Sequence, residues 1–115
     1  MDVRKKVADF LMDYEFPTKV NGYHYLKESL IMVLEDNSLP SNKMLFSTLA
    51  DKFNTDEANI DRCLRTIVDK MWQSLAKVGL FIERPTNREF IYKCAEFVGR
   101  RDVQASVYDI LLRPD

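Results

Sequence analysis

The chain has 115 residues, a formal net charge of −1 and 46% apolar side chains, which fits one soluble domain able to fold without disulfides or metal. Three glycines and four prolines supply little turn material, so helices are favoured over many short strands. Near-neutral charge lends no support to a nucleic-acid partner, and that case has to rest on where the basic residues sit.

The basic start Arg4-Lys5-Lys6 is followed by Asp9 and Asp13 rather than by an apolar signal-peptide core, and no apolar run nears the roughly 18 residues of a membrane span. A cytoplasmic protein without a membrane partner is expected. Val3, Val7, Phe10, Leu11 and Tyr14 then recur at helical spacing up to Phe16-Pro17. After the turn at Asn21-Gly22, Tyr23, Leu26, Leu30, Val33 and Leu34 repeat that spacing until the polar stretch 37–42 breaks it. Leu45, Phe46, Leu49 and Phe53 mark a short third helix. Asn54 or Thr55 is expected to cap a longer fourth one, lined by Ile60, Leu64, Ile67, Val68, Met71 and Leu75. Two helices joined by so short a link read as a helix-turn-helix, with a recognition helix over about 56–72.

Gly79 is placed to end that helix in a left-handed conformation, and Leu80-Phe81-Ile82 reads as an extended connector tucked into the core. Thr86 and Glu89 form a capping box before Phe90, Ile91, Cys94, Phe97 and Val98, and Gly99 follows. Val103, Val107, Ile110 and Leu111 suggest a last helix. The class expected is therefore all-α, a bundle of roughly five to six helices, organised as a domain over 1–99 and a helical tail over 100–115. Cys63 and Cys94 have no partner at metal-ligand spacing and read as free thiols, so neither a metal nor another cofactor is expected.

At about 100° per residue, Asn59, Arg62, Arg65, Thr66 and Asp69 fall opposite the apolar stripe of the fourth helix. Arg62 and Arg65 leave the same side about one turn apart, within reach of neighbouring base pairs. The guanidinium fork donates two hydrogen bonds at once to guanine O6 and N7. A solvated polar face paired with Asp61 and Asp69 is the competing reading. The acidic residues Asp56, Glu57, Asp61 and Asp69 oppose phosphate binding unless they point elsewhere or accept from cytosine.

Four blocks resemble the C-terminal DNA-binding domain of the sporulation initiation response regulator, the stage-zero sporulation protein A family. Gly22-Tyr23-His24-Tyr25-Leu26-Lys27-Glu28 resembles the family's G-Y-x-Y-L-(R/K)-E, and Leu49-Ala50-Asp51-Lys52-Phe53-Asn54-Thr55 its I-A-x-K-F-N-T. Asp61-Arg62-Cys63-Leu64-Arg65 falls on its E-R-A-I-R, and Arg84-Pro85-Thr86-Asn87-Arg88-Glu89-Phe90 on its K-P-T-N-x-E-F. The resemblance implies a six-helix fold that binds double-stranded DNA containing a G·C core. It assigns base reading to Arg62 and Arg65, and to Asp61 where the family usually has Glu. Thr66 stands where the family commonly has His and Asn59 where it has Arg, and the connection from Trp72 to Pro85 is shorter. A stand-alone relative without the receiver domain, and so without phosphorylation as its built-in switch, is the expected form, the alternative being a domain excised from a longer regulator.

The expected function is sequence-specific transcriptional regulation tied to sporulation control, with DNA contacts from Arg62, Arg65, Asn59, Asp61, Thr66, Arg84 and Arg88. Arg84 and Arg88 flank the Thr86 cap, where backbone amides could hold a phosphate, with a merely solvated turn as the equal alternative. The alternative is a protein-interaction module or antagonist that keeps the fold without binding DNA, which neutral charge and the acidic neighbours of Arg62 favour. An enzyme with a small-molecule substrate is not expected, because the sole histidine, His24, has no nucleophile or glycine loop beside it. Trp72, at the edge of the apolar face, reads as a packing anchor. Pairing of two copies is expected through residues 100–112, whose apolar stripe is more than a domain closed by Val98 needs to cover, the competing outcome being that the stripe folds back and completes the monomer core.

Overall fold

The computed structural model describes residues 2–35 and 42–112, with side chains for 2–35 and 44–100. Five helices lie among them: α1 Val3–Asp13, α2 Asn21–Glu35, α3 Asn42–Lys52, α4 Glu57–Ala76 and α5 Asn87–Leu112. The all-α expectation is met at its lower count. Residues 77–86 contain turns and no helix, so the sixth helix implied by the resemblance is not formed there. The expected break after α2 lies almost wholly outside the described residues.

Local chemistry accounts for most helix ends. Asp2 caps α1 by accepting from the Lys5 amide at 3.1 Å. Beyond its last turn, the Phe16 amide returns to the Leu11 carbonyl at 2.9 Å through Glu15, which holds φ 57°. The cap of α4 is Asp56, whose carboxylate accepts from the Asn59 amide at 2.8 Å. This corrects the expected Asn54 or Thr55. Asn54 instead supplies the left-handed residue of the turn, φ 52°, which asparagine tolerates better than most side chains. At the far end of α4, Gly79 takes φ 89° and the Leu80 amide reaches back to the Leu75 carbonyl at 3.1 Å, the left-handed ending expected. The connector beyond is half as expected. Phe81 is buried and stacks on Phe90 with centroids 5.4 Å apart, whereas Ile82 is 100% exposed.

The helix α2 lies at the centre and packs against all four others. That position explains why its buried side is broader than one stripe: Tyr25, Ser29 and Ile31 join Leu26 and Leu30 inside, while Tyr23, Val33 and Leu34 are half-buried. Ser29 is satisfied by donating to the Tyr25 carbonyl at 2.6 Å. All six apolar residues expected on α4 are buried, against α2, α3 and α5. The helix α5 runs through Gly99 without a break, so the helix expected before Gly99 and the last helix are one element. Side chains of the stripe Val103, Val107, Ile110 and Leu111, and with them the expected pairing surface, lie outside the described residues.

The helices α2 and α4 approach closely at Gly22. A β-carbon added to Gly22 would overlap the Cys63 carbonyl oxygen and sit 3.1 Å from its carbon, both backbone atoms that cannot step aside. Gly22→Ala, which ordinarily favours a helix by about 0.5–1 kcal/mol, is therefore expected to destabilise the domain by about 1–3 kcal/mol in urea titrations. Stability equal to the parent's would show that the two helices separate at no cost. Leu64→Ala, at a position with 0% exposure, is expected to lower stability by roughly 2–5 kcal/mol through the cavity it leaves, and a parent-like melt would contradict the packing of α4.

Candidate nucleic-acid interface

The unit α3, turn, α4 sets one face of α4 outward. The turn is closed by the Phe53 amide on the Leu49 carbonyl at 3.0 Å and the Thr55 amide on the Ala50 carbonyl at 2.9 Å. The first helix of the pair is tied down by charge. Glu28 on α2 accepts from Lys52 at 2.8 Å and from Arg4 of α1 at 3.2 Å, with its own side chain only 14% exposed. Burial pushes the Glu28 carboxyl up, but the hydrogen bonds and charges of Lys52 and Arg4 outweigh it and hold the group below its usual value.

Around the outward face Ala58, Arg62, Arg65, Thr66 and Asp69 are all exposed. Each expected site residue has a definite place. The Arg62 Nη2 donates to Asn59 Oδ1 at 2.5 Å, and the Arg65 Nη2 donates to Asp61 Oδ2 at 2.8 Å. Asn59 is half-buried, its amide donating to Thr55 Oγ1 at 3.0 Å and to Tyr25 Oη at 3.3 Å. Thr66 donates its hydroxyl to the Arg62 carbonyl at 3.2 Å, which leaves it an acceptor oxygen and a methyl. Arg84 reaches from the connector to Asp69 at 2.5 Å and to the Pro85 carbonyl at 3.3 Å. Arg88 is exposed at the start of α5, its guanidinium 5.3 Å from the centre of the Phe46 ring of α3. The Glu89 amide donates to Thr86 Oγ1 at 3.1 Å, which is the threonine half of the capping box expected for α5.

The structure thus brings Arg62, Arg65 and Thr66 together on α4, adds Arg84 beside Asp69, and sets Arg88 at the junction of α5 with α3. Sequence reasoning missed the residues behind this surface. Asn87 is buried, and its amide donates to both the carbonyl and Oδ1 of Asp61, each at 2.9 Å. Tyr25, Asn87 and Glu28 all stand in the blocks that carried the resemblance, which was the available signal. Elsewhere, Trp72 is half-buried against the core and His24 is exposed beside Tyr23. Cys94 is buried, which pushes its thiol up, and Cys63 is half-buried. Among the described residues no group of three or more His, Cys, Asp or Glu is placed to hold a metal, and no helix is long and apolar enough to cross a membrane.

An all-α bundle that turns one helix of a helix-turn-helix outward, with two exposed arginines on it, is a helix-turn-helix domain. A family model described as "Sporulation initiation factor Spo0A C terminal" matches residues 7–98. The chain belongs to that family, which is the DNA-binding effector domain of a sporulation response regulator and not an enzyme family.

The Glu28 cluster has a pH signature. Its folded pKa lies below the unfolded one, so its stabilisation is complete above the unfolded value and is lost as pH falls through the folded value. Glu28→Gln is expected to be less stable than the parent near pH 7, with a difference that shrinks on acidification to about pH 3. Thermal melts across that range check it; a constant difference would mean that the carboxylate charge contributes nothing.

Proposed function

We propose that this chain is a sequence-specific DNA-binding transcriptional regulator that lays α4 in the major groove and reads base edges with Arg62 and Arg65. The observation that carries the reading is the outward face of α4, where the two arginines stand one turn apart and exposed while the opposite face is wholly buried. A helix inserted into the groove meets base edges with such a face, and a guanidinium fork matches guanine O6 and N7. Thr66 adds a methyl and an acceptor beside them. Asn59 and Asp61 belong to the same surface through the arginines they hold. Arg84 and Arg88, on the connector and at the start of α5, take flanking phosphates and set the register of the helix on the duplex. Sporulation control is the process that membership in the family suggests. Two copies paired through residues 100–112, beyond the domain at 1–99, would bind two half-sites at once.

Binding to duplexes selected from a random pool, followed by gel shift at rising salt, tests the reading. Specific complexes enriched in a guanine-containing motif, weakening as salt rises, are expected. A chain that shifts no duplex specifically would be a protein-interaction module instead. Arg62→Ala and Arg65→Ala are each expected to cost about 1–3 kcal/mol of specific binding and to leave the melt unchanged, since neither side chain is buried. Equal losses on every duplex would assign both arginines to phosphate.

A further inference from the structure

Neither arginine of the outward face hangs free on the surface. Arg62 gives one nitrogen to Asn59 Oδ1, and the Asn59 amide is in turn fixed by Tyr25 Oη at 3.3 Å and Thr55 Oγ1 at 3.0 Å. Arg65 gives one nitrogen to Asp61 Oδ2, and the other carboxylate oxygen of Asp61 accepts from the Asn87 amide at 2.9 Å. The two arrangements have the same logic. A cation on α4 is held by an acceptor on α4, and that acceptor is pinned by a buried side chain from a different helix, Tyr25 of α2 in one case and Asn87 of α5 in the other.

An exposed ion pair between residues four apart is weak, because both long side chains must give up rotamers to form it. Pinning removes much of that cost from the acceptor's side. The Asn87 amide constrains Asp61 independently of Arg65, and Tyr25 and Thr55 constrain Asn59 independently of Arg62. Each arginine spends one N–H on its acceptor and keeps the rest of its fork for a partner outside. A guanidinium already oriented loses less entropy on meeting a base edge, and one that cannot swing aside discriminates more sharply against the wrong base.

We infer that Tyr25 and Asn87, which do not lie on the outward face, are positioning residues that set the sequence preference of the site, Tyr25 through Asn59 and Arg62 and Asn87 through Asp61 and Arg65. This rests on the DNA reading given above. The pairing is crossed: each buried residue serves one arginine and not the other.

A double-mutant cycle tests it, using the full chain with two probes, a duplex enriched by the parent from a random pool and a scrambled duplex of equal length. Tyr25→Phe removes one oxygen and keeps the ring in its edge contact with Phe53 at 4.9 Å, so it reports the hydroxyl without loosening the core. It is expected to lower the ratio of selected to scrambled binding by roughly 3- to 10-fold in the parent, to have no further effect on Arg62→Ala, and to act in full on Arg65→Ala. Asn87→Ala is expected to give the mirror pattern, silent on Arg65→Ala and fully expressed on Arg62→Ala. A merely structural role lowers binding to both probes alike and in every background, so that outcome overturns the inference, as does an unchanged ratio in Tyr25→Phe and Asn87→Ala when the arginine variants lose theirs. If Arg62→Ala and Arg65→Ala keep the parent's preference, or the parent has none, the DNA reading falls and the inference with it.

Discussion

Where α2 crosses α4, the Cα of Gly22 lies against the Cys63 carbonyl with no room for a side chain. Cys63 sits between Arg62 and Arg65 in sequence, so this contact fixes the height of the paired arginines relative to the rest of the bundle. Tyr25, one turn further along α2, reaches Asn59 because of that spacing. The burial of Leu64 and Ile67 on the same side of α4 follows from the same approach. A bulkier residue at position 22 pushes the helices apart at the place where the surface takes its geometry from the core.

The charges of the molecule are arranged around the same crossing. Glu28 on α2 draws in Arg4 and Lys52, which fastens α1 and α3 to the central helix. Asp61 and Asp69 on α4 hold Arg65 and Arg84. The cap of α4 is also acidic, Asp56, with Glu57 in the first turn, where a negative charge meets the positive end of the helix dipole. The four acidic residues that weigh against phosphate contact in the sequence therefore have structural employment: Asp56 caps the helix, Glu57 meets its dipole, and Asp61 and Asp69 orient arginines.

Much of this was legible in the chain itself. The apolar set of α4 repeats so regularly that its buried face, and hence the exposure of Arg62 and Arg65, follows from helical period alone. Gly79 was readable because a glycine after the last apolar position is a common helix ending. Helix period failed where a partner lies far away in sequence. It places Asn59 on the polar side, but its amide is drawn inward by a hydroxyl 34 positions earlier. Asp61 looked like a surface charge until Asn87, 26 positions later, is seen against it. The run Leu80-Phe81-Ile82 misled because burial of one of three apolar neighbours satisfies the connector, and the turns around them face Ile82 outward. Gly99 stands where a helix often ends, yet a helical glycine costs only about 1 kcal/mol, and a β-carbon added there would meet Leu34 at 3.5 Å, an ordinary contact.

Pairing Asp61 with Arg65 and Asp69 with Arg84 leaves the outward face of α4 close to electrically balanced. A protein that meets DNA through such a face gains little from counterion release on arbitrary sequence, so it spends little of its time on the bulk of a chromosome. Occupancy of a correct box depends on how few molecules are lost to all other sites as much as on affinity for that box. On the DNA reading proposed above, a balanced face would let a small number of copies find a target that a more basic domain of equal specific affinity would leave largely empty.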